Sequence, residues 1–323
     1  TKTCSVFVKA PLIPSVLEEN RATENVLTKP LLYPKTDTQD RHWLQYTALV
    51  AIYEYFTNLH ETQFGAIRAL DYLPEYYAVF TEDSNDPNLR LLLFKESRWH
   101  FPLTGGKLTA EFHNVGSWLR LYHRMPKKDD VSVRHENRQD YINAIATLAD
   151  FLGKTLGLAT LLGETASKLI HRASMVLPEY LPLGLGHGDY AMRNILVGPN
   201  HRVTVLDTFA KWQTPIYEDI GYFINELKIS SPQVFSQGLA FSAAQLASYE
   251  NAFLKGYFCS SPVPYAAVKL YEALALLDRW SSLLARYDQQ LGSARMMGQV
   301  QVVLANRYFK NRVEKLLAEL SSI

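Results

Sequence analysis

Four polar side chains crowd residues 187–207: His187, Asp189, Asn194 and Asp207, within GHGDYAMRNILVGPNHRVTVLDTF (186–209). They alternate with apolar runs, so a loop beside buried strands would hold them. A carboxylate such as Asp189 can orient a hydroxyl and take its proton. Asn194 can turn an amide oxygen, and Asp207 a carboxylate, toward a hard cation such as Mg²⁺, with water and phosphate oxygens completing the shell. Together with a cation on nucleotide phosphates, these are the parts that phosphoryl transfer needs. His187 has the simpler task of bracing the loop by hydrogen bonding. The bland alternative is turn chemistry, since Asp and Asn favour loops and Asp207 stands at a strand end. Arg193 could reach a phosphate, but it reads better as an exposed loop arginine.

Positioning such a set needs a rigid frame. ILV (195–197) and VTVLD (203–207) read as two strands joined by the turn GPNHR, with Asp207 closing the second. Near the start, SVFVK (5–9) is short, β-branched and aromatic, a strand ending at Lys9. Residues 20–40 are polar and proline-punctuated, a loop. RHWLQYTALVAIYEYFTNLH (41–60) sets Leu44, Ala48, Ala51 and Tyr55 at helical spacing. YYAVFTE (76–82) reads as a strand and DSNDPN (83–88) as a turn-rich break. Beyond it, residues 112–125, 138–157, 164–177, 243–258, 265–287 and 296–321 carry a helical apolar rhythm. The expected fold is α+β: a small mixed α/β lobe (1–82), a linker (83–90) and a larger, mainly helical lobe (91–323) with an embedded hairpin.

Composition narrows the function classes. The 323 residues are 47% apolar and 20% charged, those of an ordinary folded protein. Lys+Arg of 33 against Asp+Glu of 32 leaves no excess to favour nucleic acid or an anionic membrane. Cys4 and Cys259 make neither a disulfide framework nor a zinc motif, and free thiols suit the cytoplasm. No signal peptide is expected. The apolar stretch LYEALALLDRWSSLLA (270–285) carries Glu272, Asp278 and Arg279, which favours a core helix over a membrane span.

HGDYAMRN followed by VLDTF resembles the H-x-D-x-x-x-x-N loop and metal-binding Asp of the protein-kinase-like fold. The Gly after the His, and YEDIGYF (217–223), are similar to the aminoglycoside phosphotransferase and choline kinase branch. SVFVK resembles the strand with the nucleotide lysine, AVFTE the hinge strand, and WLRLYH (118–123) a helix ending in Leu-x-x-His or Leu-x-His. The resemblance implies a two-lobed fold with ATP or GTP and Mg²⁺ between the lobes. It implies Asp189 as catalytic base, Asn194 and Asp207 as metal ligands, and Lys9 and Glu82 as nucleotide-binding residues. The acceptor would be a small hydroxylated molecule, with neither nucleic acid nor membrane as partner. Asp219 is structural, either capping the following helix or holding the catalytic loop from behind.

Some positions depart from that pattern. Thr208 and Phe209 follow Asp207 where protein kinases carry Gly, and Ala191 stands where they usually carry Lys, which favours the small-molecule branch. Only eight residues precede Lys9, too few for the first strands and Gly-rich turn that cover the phosphates. If Lys9 is an ordinary strand-end lysine, the cationic partner of the nucleotide is another residue. Gln45 and Glu54 both compete to pair with Lys9, and they lie on opposite sides of an α-helix. Beyond residue 220 bases outnumber acids, although much of that charge must be solvated helix surface. The sign favours a neutral or anionic metabolite, such as a sugar, over a polycation. The alternative function is a kinase-like protein that binds nucleotide or metabolite without turnover.

Overall fold

The computed structural model describes residues 5–10, 28–30, 32, 38–97, 108–127, 131–208, 210, 212–288 and 293–323. In chain order the first elements are β1 (Val6–Lys9), α1 (Thr38–Asn58), β2 (Phe64–Ala66), β3 (Ala69–Leu73), β4 (Ala78–Glu82) and α2 (Leu89–Lys95). There follow α3 (Thr109–His123), β5 (Ser132–Val133), α4 (Arg138–Leu156), α5 (Ala159–Val176), β6 (Leu183–Leu185), β7 (Ile195–Val197), β8 (Val203–Val205) and β9 (Trp212–Pro215). Helices α6 (Ile216–Lys228), α7 (Ser231–Phe235), α8 (Ala243–Phe258), α9 (Tyr265–Asp288) and α10 (Ser293–Ser321) complete the chain. No helix among the described residues is long and apolar enough to cross a membrane.

Three small sheets carry the site. In the first, ordered β1-β4-β3, all pairs are antiparallel and Lys9 stands opposite Val79. In the second, ordered β2-β8-β7, the β7–β8 hairpin pairs Ile195 with Val205, and β2 adds in parallel with Ala66 opposite Val205. The third is ordered β5-β9-β6. The hairpin is therefore not an isolated insertion, because residues 64–66 from the first lobe's sequence extend its sheet. Its second strand stops at Val205, two residues short of the expected end at Asp207. The GPNHR turn is as expected a turn, with Asn200 and His201 in the left-handed region at φ of 56° and 59°.

Helix boundaries follow local chemistry. Asn88 caps α2 by accepting from the Leu91 N–H at 2.8 Å, so the helix starts inside the expected 83–90 linker. Asn137 and Asp140 form a capping box on α4. The strand expected from residue 76 begins at Ala78, because Pro74–Tyr76 make a 3₁₀ turn. The loop expected over 20–40 gives way to α1 at Thr38, and most of it lies outside the described residues.

The buried face of α1 differs from the expected stripe. Gln45, Ala48, Leu49, Ile52 and Phe56 are buried, whereas Leu44, Ala51 and Tyr55 are only half-buried. The face is rotated by about one residue, roughly 100°. Phe56 fixes it by stacking on Trp118 with ring centroids 4.8 Å apart. Trp118 is fully buried on α3 and donates its indole N–H to the Gly65 carbonyl at 2.8 Å. That bond ties β2, and through it the hairpin, to the helical lobe.

Five charges that the sequence places on helix surface lie inside that lobe, with a sixth, Glu319, half-buried at their edge. Lys228 (α6), Glu250 (α8), Lys269 and Glu272 (α9), and Arg312 and Glu319 (α10) form one ion cluster. Glu272 is fully buried and meets Lys228 and Lys269 at 3.0 Å and Arg312 at 2.5 Å. Burial alone would raise its carboxyl, but Lys228, Arg312 and Lys269 together hold it far below the usual carboxylate range. Three cations and three anions satisfy one another there, which is how buried charge becomes tolerable.

Candidate active site

The GHGDYAMRN loop begins where β6 ends, and Asp219 holds it from inside. Asp219 is buried in the first turn of α6, where its Oδ2 accepts the His187 backbone N–H at 2.7 Å and its Oδ1 that of Gly188 at 3.0 Å. His123, the last residue of α3, brings Nε2 to 3.1 Å from Oδ2, while its Nδ1 lies 2.7 Å from the Tyr257 hydroxyl on α8. Burial alone would raise the Asp219 carboxyl, yet His123 and His187 hold it below the usual range. Of the two roles expected for Asp219, bracing applies; the cap position of α6 is Pro215, with no side-chain bond. Gly188 adopts φ of 77°, a left-handed turn that favours glycine.

His187 braces the loop from the other end. Its Nε2 lies 3.0 Å from the Leu206 carbonyl, which can only accept, so Nε2 carries the proton. Nδ1 is then free to accept the Asp189 N–H at 3.3 Å. Burial pushes the imidazole down, so it stays neutral. The Tyr122 hydroxyl adds a second clasp, lying 2.7 Å from Thr208 Oγ1 and donating to the Gly186 carbonyl at 3.2 Å. Thr208 thus anchors the segment directly after Asp207.

Asp189 is ringed by donors. Arg193 reaches both carboxylate oxygens with one guanidinium nitrogen, at 2.7 Å and 2.5 Å. The Tyr222 hydroxyl donates to Oδ1 at 3.1 Å, and Asn194 Nδ2 donates to Oδ2 and to the Asp189 carbonyl, both at 3.0 Å. Arg193 is exposed as expected, but its guanidinium is engaged by Asp189. Burial alone would lower its pKa, and the Asp189 charge raises it instead. Tyr222 is a site residue that sequence reasoning leaves unassigned, although it lies in the quoted YEDIGYF.

Lys9 meets Asp207 across the lobes. Its Nζ lies 2.6 Å from Asp207 Oδ1, and Gln45 Nε2 donates to the same oxygen at 3.0 Å. Asp207 adopts φ of 56°, so the backbone turns left-handed where the strand has ended. Gln45 is buried and bonds Asp207 rather than Lys9, while Glu54 is exposed. Glu82 does not join the cluster: its Oε1 accepts the Arg68 N–H at 3.0 Å in an exposed position. Lys9, His187, Asp189 and Asp207 all line one cavity of about 440 Å³. Its wall continues through Arg134, Trp212, Glu218, Tyr222 and Asp278. The Arg134 guanidinium lies 3.3 Å from the centroid of the Trp212 ring.

The donor set suits a hard cation that shares its shell with a ligand. Lys9 and Gln45 both converge on Oδ1 of Asp207, and no described residue donates to Oδ2. Asn194 uses its amide nitrogen toward Asp189, and no described residue donates to its Oδ1. Among the described residues no group of three or more His, Cys, Asp or Glu is placed to hold a metal unaided. A carboxylate and an amide oxygen, completed by phosphate oxygens and water, fit Mg²⁺.

The small sheets, the helical lobe and the braced loop between them make a protein-kinase-like fold. No family model matches the chain, and no curated protein does. Solved structures do match at the level of fold. A spectinomycin phosphotransferase in complex with ADP and spectinomycin superposes with a TM-score of 0.53 at 12% identity, over 100% of this chain and 88% of that one. An ethanolamine kinase from Plasmodium vivax gives 0.51 at 11% identity, over 84% of this chain and 74% of that one. The choline kinase LicA from Streptococcus pneumoniae gives 0.50 at 13% identity, over 88% and 84%.

Proposed function

We propose that the chain is a small-molecule kinase that transfers the γ-phosphate of ATP or GTP to a hydroxyl of a neutral or anionic metabolite. The observation that carries this reading is that Lys9, Asp207 and Asp189 open on one cavity, with Lys9 and Asp207 2.6 Å apart. Lys9 would contact the nucleotide phosphates once it exchanges Asp207 for them. Asp207 and Asn194 would hold Mg²⁺, which supplies positive charge against the phosphate oxygens. Asp189 orients the acceptor hydroxyl and receives its proton. The acceptor oxygen bonds to the γ-phosphorus as the bond to the bridging oxygen breaks, and the nucleoside diphosphate leaves with that electron pair. The fold match carries over the enzyme class as a proposal; spectinomycin, ethanolamine and choline are named only for those proteins.

The acceptor class rests on how the cavity wall is neutralised. Asp278 is paired with Lys29, Glu218 lies 3.3 Å from His135, and Asp189 is bound by Arg193. A polycationic acceptor would find its carboxylates already matched. This replaces the charge count beyond residue 220, which includes the six residues of the internal ion cluster and so says little about the pocket.

A second reading, nucleotide binding without turnover, has one observation in its favour: Arg193 covers both oxygens of Asp189. Diphosphate release, measured across a panel of neutral, anionic and cationic hydroxylated metabolites, separates the two. Turnover with at least one neutral or anionic acceptor, lowered by about 10²–10⁴ in Asp189→Asn, is the expected result. Nucleotide binding with no turnover on any acceptor would establish the second reading instead.

A further inference from the structure

A second cavity, of about 950 Å³, lies on the other side of the catalytic loop and belongs to no step described above. Its charge is one-sided. Among the described residues of its wall, Arg90, Arg193, Arg279 and Arg286 are set against a single carboxylate, Glu226. Glu226 is already paired with Arg279 at 2.5 Å. Among the described residues Arg286 uses only its Nε, toward the Ser282 carbonyl at 3.2 Å, and Arg90 has no hydrogen-bond or ion-pair partner. With Arg279 matched by Glu226 and Arg193 by Asp189, Arg90 and Arg286 remain the uncompensated charges of the wall, which an entering anion would match. Their planar forks match phosphate or carboxylate oxygens better than any neutral group.

The rest of the wall says what the anion carries. Phe94 and Phe235 are 43% and 45% exposed, large rings that line the same space together with Phe241 and Phe309. A site with an arginine rim and an aromatic wall suits an anionic head on an apolar body. Two residues join the cavity to Asp189. Arg193 lines it and at the same time binds both oxygens of Asp189. Arg279 lines it with its guanidinium 4.9 Å from the ring centroid of Tyr222, whose hydroxyl donates to Asp189.

We propose that this cavity is a binding site for an organic anion, a phosphate or carboxylate on an aromatic or aliphatic body, and that its occupant draws Arg193 away from Asp189. Anion and Asp189 then compete for one guanidinium, so filling the cavity uncovers the carboxylate. The site goes beyond the kinase reading and is tested without nucleotide, so the two stand or fall separately.

Calorimetry with phenyl phosphate, and with phenol as its uncharged counterpart, is the direct test. Phenyl phosphate should bind saturably and phenol should not. Arg90→Ala and Arg286→Ala, which lie outside the active site, should each weaken binding by about tenfold, the loss of one charge-assisted contact. Asp189→Asn should tighten it several-fold, because Arg193 loses its competing partner. Phenol binding as well as phenyl phosphate would overturn the proposal, as would unchanged affinity in the Arg90→Ala/Arg286→Ala double variant. Unchanged affinity in Asp189→Asn would overturn the coupling to Arg193.

Discussion

Asp219 and His123 face one another 3.1 Å apart in the interior, and this pair sets the course of the loop that carries Asp189. His123 is positioned by Tyr257, and Asp219 holds the N–H groups of His187 and Gly188. Three helices therefore meet at one carboxylate behind the loop that carries Asp189. Asp219→Ala would leave both N–H donors and His123 without an acceptor. Breaking a buried charged pair on one side costs about 3–5 kcal/mol. A denaturant titration should show a loss of that size, and a change under about 1 kcal/mol would mean that the loop holds itself.

The Lys9–Asp207–Gln45 contact predicts a ranking among single variants. Asp207→Ala removes a charged oxygen donor and should weaken Mg²⁺-dependent nucleotide binding more than Asn194→Ala, which removes a neutral one. Gln45→Ala should weaken it by a smaller step, since it takes away only a donor that aims Asp207. Glu54→Ala should leave it unchanged. Nucleotide affinities measured with and without Mg²⁺ check the order; equal binding to Asp207→Ala in both conditions would remove Asp207 from the site.

The HGDYAMRN loop is legible in sequence because its parts are local. His187, Asp189 and Asn194 lie within a few residues of one another, and an apolar hairpin follows directly. What sequence conceals is set by distant partners. Strand β2 is three residues long, too short to show alternation, and exists through its parallel pairing with Val203–Val205. The cleft-facing side of α1 is ambiguous because Leu44 and Ala51 are as apolar as Leu49 and Ile52; the stacking of Phe56 on Trp118 decides it. Lys228, Glu272 and Arg312 read as surface charges because such residues usually stay in water. Only the convergence of four helices shows that they neutralise one another inside.

Acid should loosen this molecule in two stages. His187 is held below its ordinary range by burial, so on acidification the unfolded chain gains a proton there before the folded one does. Stability should therefore start to fall below about pH 6.5, the ordinary histidine value. Asp219, Glu272 and Glu319 are depressed carboxyls, and their contribution is complete above the ordinary carboxylate range near pH 4 and lost below it. Unfolding midpoints in urea between pH 8 and 3 should decline gently and then steeply. A Glu272→Gln variant should be less stable at neutral pH and show a shallower acid limb. A flat profile down to pH 3 would contradict both assignments.

The last prediction concerns how α3 and α8 cross. Gly116 on α3 lies against the backbone carbonyl of Phe253, and Gly256 on α8 against that of His113, so each helix receives the other's backbone at a glycine. A Cβ at either position would collide with a carbonyl oxygen, and backbone cannot rotate aside as a side chain can. The two helices would have to separate. This crossing carries His123 on α3 and Tyr257 on α8, whose 2.7 Å contact is the outer link in the chain that ends at Asp219. Gly116→Ala and Gly256→Ala should each destabilise by about 1–3 kcal/mol or more, the range for overpacked cores. They should also lower turnover beyond what the unfolded fraction explains, because the His123 imidazole moves with its helix. Tyr257→Phe separates packing from the hydrogen bond, since it removes the hydroxyl and leaves the crossing intact. If both glycine variants keep full activity per folded molecule while Tyr257→Phe does not, the hydrogen bond positions the loop and the close approach serves stability alone.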